Sequence, residues 1–233
     1  MVSEEIGWQE ADKVKHDCYG YLISTRGVVT SASCLLEKTK LPNLVRLGGL
    51  GFSGGSQTIR IEKVEIYPKY SRVNRQNNVA VVKLESPVEP SEQVFPGCLL
   101  QDVTHSPLLQ QVYDFDSNEY FSIHPIYKSD CDSVADDPIF QAPETTCMNP
   151  GWIKYNVRYS TGLGYLLERV NSFAMKSLCF QRGNPVIWRN FTRNNTYTEY
   201  IVHIYNHGKC NDTFIRIVER VAMYIDLFKK ALV

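Results

Sequence analysis

Tyr21–Leu35 reads YLISTRGVVTSASCL. This is the pattern of a buried strand leading into a cysteine, Cys34, with a small hydroxyl residue, Ser33, directly before it. Short β-like runs surround it: Tyr19-Gly-Tyr-Leu-Ile23, Gly27-Val-Val-Thr30 and Leu44-Val-Arg-Leu47. Ile59–Ile66 alternates apolar and charged residues with one slip, which predicts a half-exposed strand carrying a bulge. Val79-Ala-Val-Val-Lys-Leu84 is almost continuously apolar, as a strand covered on both faces would be. Turn-rich segments at 41–43, 48–56, 72–78 and 86–87 separate these runs, and that spacing predicts a sandwich or barrel. Residues 1–17 are polar and read as partly irregular. Further on, 120–127, 185–188 and 200–205 read as strands, and 151–175 shows no clear period. Val221, Tyr224, Ile225, Phe228 and Leu232 fall on one helical stripe, with Lys229 and Lys230 where the helix dipole favours cations. There is no internal repeat.

The chain has 233 residues, enough for one large or two small all-β domains. Hydrophobic residues make up 43% and aromatic residues 12%, which allows a real core and suits β packing. Lys plus Arg and Asp plus Glu are 25 each, so the basic face that nucleic acid demands is not expected. No apolar run reaches ~18 residues, so no membrane-spanning helix is expected. Met1–Asp17 lacks the apolar core of a signal peptide, yet seven cysteines (18, 34, 98, 131, 147, 179, 210) and three N-x-Thr acceptors, at Asn190, Asn194 and Asn211, point to a secreted, glycosylated protein. The sequence therefore reads as a piece of a longer precursor. Neither a CxxC pair nor a Cys/His cluster with zinc spacing is present, so disulfides are expected and no metal or other cofactor.

Two motifs are misleading. Gly49-Leu-Gly-Phe-Ser-Gly54 matches the dinucleotide fingerprint, but a strand pattern follows it where a helix is required. Asp114, Asp116 and Asn118 imitate the start of a calcium loop, which then has Glu119 in place of the turn glycine and Pro125 in place of the bidentate glutamate.

Cys18-Tyr-Gly-Tyr-Leu-Ile-Ser24 followed by Val28-Val-Thr-Ser-Ala-Ser-Cys34 resembles the C-G-G-x-L-I-S and V-L-T-A-A-H-C blocks of chymotrypsin/trypsin-like (S1 family) serine proteases. Val45-Arg-Leu-Gly48, Tyr67-Pro-Lys-Tyr70, Asn77-Asn-Val-Ala-Val-Val-Lys-Leu84 and Val94-Phe-Pro-Gly-Cys-Leu99 match further family blocks in order. Phe214–Phe228 resembles the run into the family's terminal helix. No G-W-G motif is visible, and 151–175 looks like an insertion. The resemblance implies an all-β fold of two antiparallel six-stranded barrels with a C-terminal α-helix. It implies one homology domain over 1–233, with a first barrel at about 18–105, a second at about 106–218 and the helix at about 219–233. It also implies the bridges Cys18–Cys34, Cys131–Cys147 and Cys179–Cys210. Cys98 is then left unpaired, or joined to a separate N-terminal chain.

The family's catalytic slots are altered. The histidine slot holds Ser33, whose hydroxyl cannot accept a proton near neutral pH. The aspartate slot holds Asn78. After Cys179 the sequence reads Phe180-Gln-Arg-Gly-Asn-Pro185, one residue short of G-D-S-G-G-P. Anchored on Pro185, Arg182 takes the serine slot, Gln181 the aspartate before it, and Phe180 the oxyanion-hole glycine. The deletion leaves these three open by one position, and no serine lies in the segment in either register. The specificity-pocket floor falls on Ser177. His16, His105, His124, His203 and His207 all lie outside the histidine slot and read as surface or satisfied histidines. Losing the nucleophile or base of a triad costs ~10⁶ in turnover. The resemblance, closest in arthropod clip-domain-type homologues, therefore implies a catalytically inactive homologue (a pseudoprotease). Its role would be that of a secreted binding scaffold, or of a cofactor or regulator in an extracellular proteolytic cascade such as innate immunity or melanisation. Its partners would be proteases or zymogens, with no nucleic acid and no membrane. The alternatives are an active trypsin-like endopeptidase with a displaced catalytic site, or a degenerate gene product.

Overall fold

Strand β2 (Lys13–Ser24) turns at Thr25 and Arg26 into β3 (Gly27–Thr30), and Ser24 pairs with Gly27 across the turn. The apolar stretch is continuous because both faces of these strands are covered, and side chains alternate across a strand. Leu22 and Val28 point into one core, with Val82. Their neighbours Tyr21, Val29 and Val81 point into another. This computed structural model describes residues 4–11, 13–48, 56–91, 94–105, 107–114, 119–125, 145–150, 182–192, 194, 196–207 and 216–232.

The first barrel is completed by β1 (Glu4–Glu10), β4 (Leu44–Leu47), β5 (Gln57–Ile66) and β6 (Ala80–Leu84), in the order β1-β2-β3-β6-β5-β4. It closes where Ile6 of β1 meets Val45 of β4. Ile6, Leu22, Val28, Val45, Leu47, Val82 and Leu84 fill it, all nearly or fully buried. The slip in Ile59–Ile66 is a bulge, a register shift between Ile61 and Lys63 against β6. Gln57–Ile66 is a strand, so the helix a dinucleotide site needs is absent there, while 49–54 itself lies outside the described residues. The reading of 1–17 as partly irregular is corrected: Glu4–Glu10 and Lys13–Ser24 form an antiparallel hairpin. The sequence hid it because Glu4 and Glu5 are buried acids, 2% and 5% exposed, so the usual alternation of apolar and polar residues is broken.

The second barrel comprises β8 (Gln110–Asp114), β9 (Glu119–Pro125), β10 (Thr145–Pro150), β11 (Pro185–Phe191), β12 (Tyr197–His207) and β13 (Arg216–Arg220). The ring runs β11-β8-β9-β10-β13-β12 and closes through β11 against β12, so this barrel is also six-stranded. Strand β7 (Cys98–Leu99) adds to it in parallel, with Cys98 opposite Tyr200. Val112, Ile123, Met148, Val186, Tyr205 and Val218 form its core.

Between the barrels lies a third core. Tyr21, Val29, Val79 and Val81 from the first barrel meet Ile187, Ile201 and Ile204 from the second. The chain end seals it with a 3-10 turn (Val221–Tyr224) running into helix α2 (Ile225–Leu232). Its buried residues are Val221, Tyr224, Leu227, Phe228 and Ala231. Ile225 and Leu232 of the expected stripe are only partly covered, because the tight first turn rotates the face that a uniform α-helix would present. The 151–175 segment lies outside the described residues.

Candidate functional site

Ser33 sits in the single-turn helix α1 (Ala32–Leu35) that follows β3. Cys34, the next residue, is bonded to Cys18 of β2, which fixes α1 against the barrel. The Ser33 backbone N–H donates to Asn78 Oδ1 at 2.6 Å, and Asn78 Nδ2 donates back to Ser33 Oγ at 2.9 Å. The two residues expected in the histidine and aspartate slots thus lie side by side, a hydroxyl against an amide.

Asn78 is fully buried at the entrance to β6. Its own N–H donates to Glu219 Oε1 at 3.1 Å, and its Nδ2 also donates to Asn206 Oδ1. Asn206 Nδ2 in turn donates to Glu219 Oε1 at 2.9 Å and to the Arg75 carbonyl at 3.1 Å. The Tyr224 hydroxyl donates to Glu219 Oε2 at 2.6 Å, and its ring meets Tyr67 edge-on at 4.9 Å. A carboxylate in a fully buried position is tolerable because donors meet both its oxygens. The chain Ser33–Asn78–Asn206–Glu219–Tyr224 therefore joins first barrel, second barrel and terminal turn through hydrogen bonds. None of Ser33, Asn78 and Asn206 can act as a base near neutral pH, and Glu219 lies behind the two amides.

Arg182, which the sequence places in or next to the serine slot, is held differently. Its guanidinium pairs with Glu37, just past α1. Its carbonyl accepts the Tyr19 N–H at 3.2 Å, and the next residue's N–H, from Gly183, donates to the Tyr205 carbonyl at 3.0 Å. Gly183 has φ +85°, and a Cβ there would lie 2.0 Å from the Tyr19 carbonyl oxygen and 2.4 Å from Thr30 Oγ1. Only glycine fits, so the turn is pressed onto β2 and β3. Among the described residues, no bond links Arg182 to Ser33 or Asn78.

No described imidazole reaches Ser33. His203 is fully buried in β12, with Nδ1 2.9 Å from Gln110 Oε1, and burial lowers its pKa to about 3. Its Nε2 has no hydrogen-bond partner, so the reading of His203 as a surface or satisfied histidine is corrected: its ring is walled in by the barrel's closing pair. His16 lies 3.9 Å from Glu5, its pKa lowered chiefly by burial. His105 packs on Trp188 at 5.1 Å, and His124 Nδ1 is 2.9 Å from the Leu108 carbonyl. The His207 side chain is outside the described residues.

Cys98 is exposed and free. Cys147 is disulfide-bonded, and its expected partner Cys131 lies outside the described residues, as do Cys179, Cys210, Ser177, Phe180, Gln181 and Asn211. The Asn190 and Asn194 side chains are exposed on β11 and on the hairpin beyond it. Among the described residues there is no group of three or more metal-binding side chains and no helix long and apolar enough to cross a membrane. Sequence reasoning missed Asn206, Glu219 and Glu37. Glu219 lies between Val218 and Arg220 with nothing in its local pattern to mark it as buried.

Two closed six-stranded barrels, with the Ser33–Asn78 pair at their junction, define the chymotrypsin-like class. The trypsin family model matches residues 2–114. Serine protease Hayan of Drosophila melanogaster is 33% identical over 93 residues, covering 39% of this chain and 15% of the relative. Serine protease snk of the same organism is 35% identical over 104 residues, covering 41% and 24%. The chain thus spans less than a quarter of the length of either relative. The Drosophila Grass clip serine protease of the Toll pathway has the same fold, with a TM-score of 0.72 over 99% of this chain and 68% of that one at 13% identity. Residues 2–114 are thus similar to trypsin-family serine proteases, and the chain has the chymotrypsin-like fold.

Proposed function

We propose that this protein is a non-catalytic serine protease homologue, a secreted binding scaffold or cofactor for other proteases or zymogens in an extracellular cascade. The Ser33–Asn78 hydrogen-bonded pair carries this reading. A triad needs an imidazole there to take the nucleophile's proton and a carboxylate to steady the resulting cation. A hydroxyl and an amide do neither. The absence of any serine from Cys179 to Pro185 supports the same conclusion from the nucleophile's side. The similar Drosophila proteins, among them a clip serine protease of the Toll pathway, favour an arthropod immune setting. The exposed Cys98 thiol suits a disulfide to a separate N-terminal chain, and the exposed Asn190 and Asn194 suit glycans on a secreted surface. The decisive experiment treats the purified, correctly oxidised protein with a fluorophosphonate serine probe and with trypsin-type peptide amides. No labelling and no amide cleavage above background are expected. Stoichiometric labelling of one serine, lost on heat denaturation, would overturn the proposal.

A further inference from the structure

We propose that the rim of the former active-site cleft, formed by Arg72, Arg75 and Arg182 around Tyr70, is a docking site for an acidic polypeptide segment. This deepens the scaffold reading, and rests on it only in taking the cleft to hold something other than a scissile peptide.

Two of the guanidiniums, from separate stretches of chain, converge at the end of α1. Arg72 Nη2 donates to the Leu36 carbonyl at 3.2 Å, and Arg182 pairs with Glu37, the very next residue. Arg75 belongs to the same β5–β6 loop as Arg72, and its carbonyl is held from below by Asn206 of the buried chain. Tyr70 ties the group together: burial raises its phenol pKa, and the charges of Arg75, Arg72 and Arg182 act against that rise.

Charge complementarity names the occupant. The protein as a whole has zero formal net charge, so a local excess of cations marks this rim. Among the described residues neither Arg72 nor Arg75 has a carboxylate partner, and Glu37 on Arg182 shows what such a partner would look like. Guanidiniums take carboxylates in a two-pronged geometry and leave water more readily than ammonium groups. Tyr70 lies beside them, and Val73 of the same loop is 97% exposed. A sulfated glycan would leave both without an apolar partner, whereas an acidic segment containing one apolar residue meets the whole surface.

The loop is also held in shape. Arg75 and Asn77 both have φ 53°, a left-handed conformation that costs a non-glycine residue on the order of 1 kcal/mol or more. Asn206 on the Arg75 carbonyl and Asn77 Nδ2 on the Lys69 carbonyl at 3.3 Å hold it there. A preformed rim avoids the ordering cost that a loose loop would bring to binding.

The test is fluorescence anisotropy of a fluorescein-labelled Asp/Glu hexapeptide containing one leucine, with a matched Lys peptide and a heparin-derived octasaccharide as competitors. The acidic peptide should bind, weaken as salt rises, and lose about tenfold or more in affinity in the Arg72→Gln/Arg75→Gln/Arg182→Gln variant. Should that variant not fold, Arg72→Gln alone, at an exposed side chain, should still weaken binding measurably. Equal binding by wild type and variants, or binding of the octasaccharide but not the peptide, would overturn the docking site. Cleavage of a bound peptide would instead leave the site standing and defeat the pseudoprotease reading, so the two failures are distinguishable.

Discussion

At the scale of residues, the chemistry turns on what one atom can accept. Asn78 Nδ2 donates both its protons, to Ser33 Oγ and Asn206 Oδ1, so its amide is fully engaged. On the proposed non-catalytic reading, introducing the family residues at 33 and 78 should not produce activity. Ser33→His with Asn78→Asp supplies a base and its partner but still no serine between Cys179 and Pro185, and we expect no amide hydrolysis above background in a chromogenic peptide assay. Measurable turnover in that double variant would show that a nucleophile enters the site from elsewhere. The sequence exposed both substitutions because each stands inside a recognisable block. It could not expose Asn206 and Glu219, whose neighbours along the chain give no hint that they meet Asn78.

At the scale of elements, two buried titratable groups set opposing pH dependences. Glu4, in β1, is pushed up to about 8, mainly by burial, against a weaker pull from the Gly48 backbone hydrogen bond. A folded-state pKa above the unfolded 4.5 means the folded form holds its proton longer, so stability falls as pH rises from about 4.5 to 8. His203, in β12, is depressed to about 3 from 6.5, so the unfolded form binds the proton first and stability falls as pH drops through that window. The two effects cancel where the windows overlap, and these groups place the thermal-stability maximum between about 4.5 and 6.5. Glu4→Gln should flatten the alkaline side of a melting-temperature profile, and an unchanged profile would refute this account.

The terminal helix is the second element whose role can be weighed. Phe228, 1% exposed, packs in the core between the barrels. Phe228→Ala should cost ~3–5 kcal/mol through lost burial and the cavity left behind, read as a drop in melting temperature of roughly 10 °C. A loss of only a degree or two would mean that the barrels hold together without the helix. The helical stripe was legible from spacing alone. The inclusion of Leu227 and Ala231 in its buried face was not, because the preceding 3-10 turn shifts the phase.

At the scale of the whole molecule, the exposed Cys98 on the added strand β7 defines a contact point on the second barrel. Thiol titration of the native, unreduced protein should return one reactive group, lost on Cys98→Ser. A count of zero in the isolated chain would contradict a free Cys98. The apolar runs of the first barrel told most of their story in advance, since Leu22/Tyr21 and Val28/Val29 must bury alternate side chains on two faces. The hairpin of residues 4–24 did not, because Glu4 and Glu5 carry charge into positions that pattern reading reserves for apolar residues.

The sequence alone determined that two barrels form and that positions 33 and 78 carry neither an imidazole nor a carboxylate. Local pattern and block order carry that information, and no distant residue can alter which side chain occupies a slot. Tertiary structure alone decided how Asn78 is held, where Arg182 points and which cations gather at Tyr70. Contacts such as 78 to 219 and 182 to 37 form only when one barrel closes against the other, and 72 to 36 only when the first barrel closes on itself.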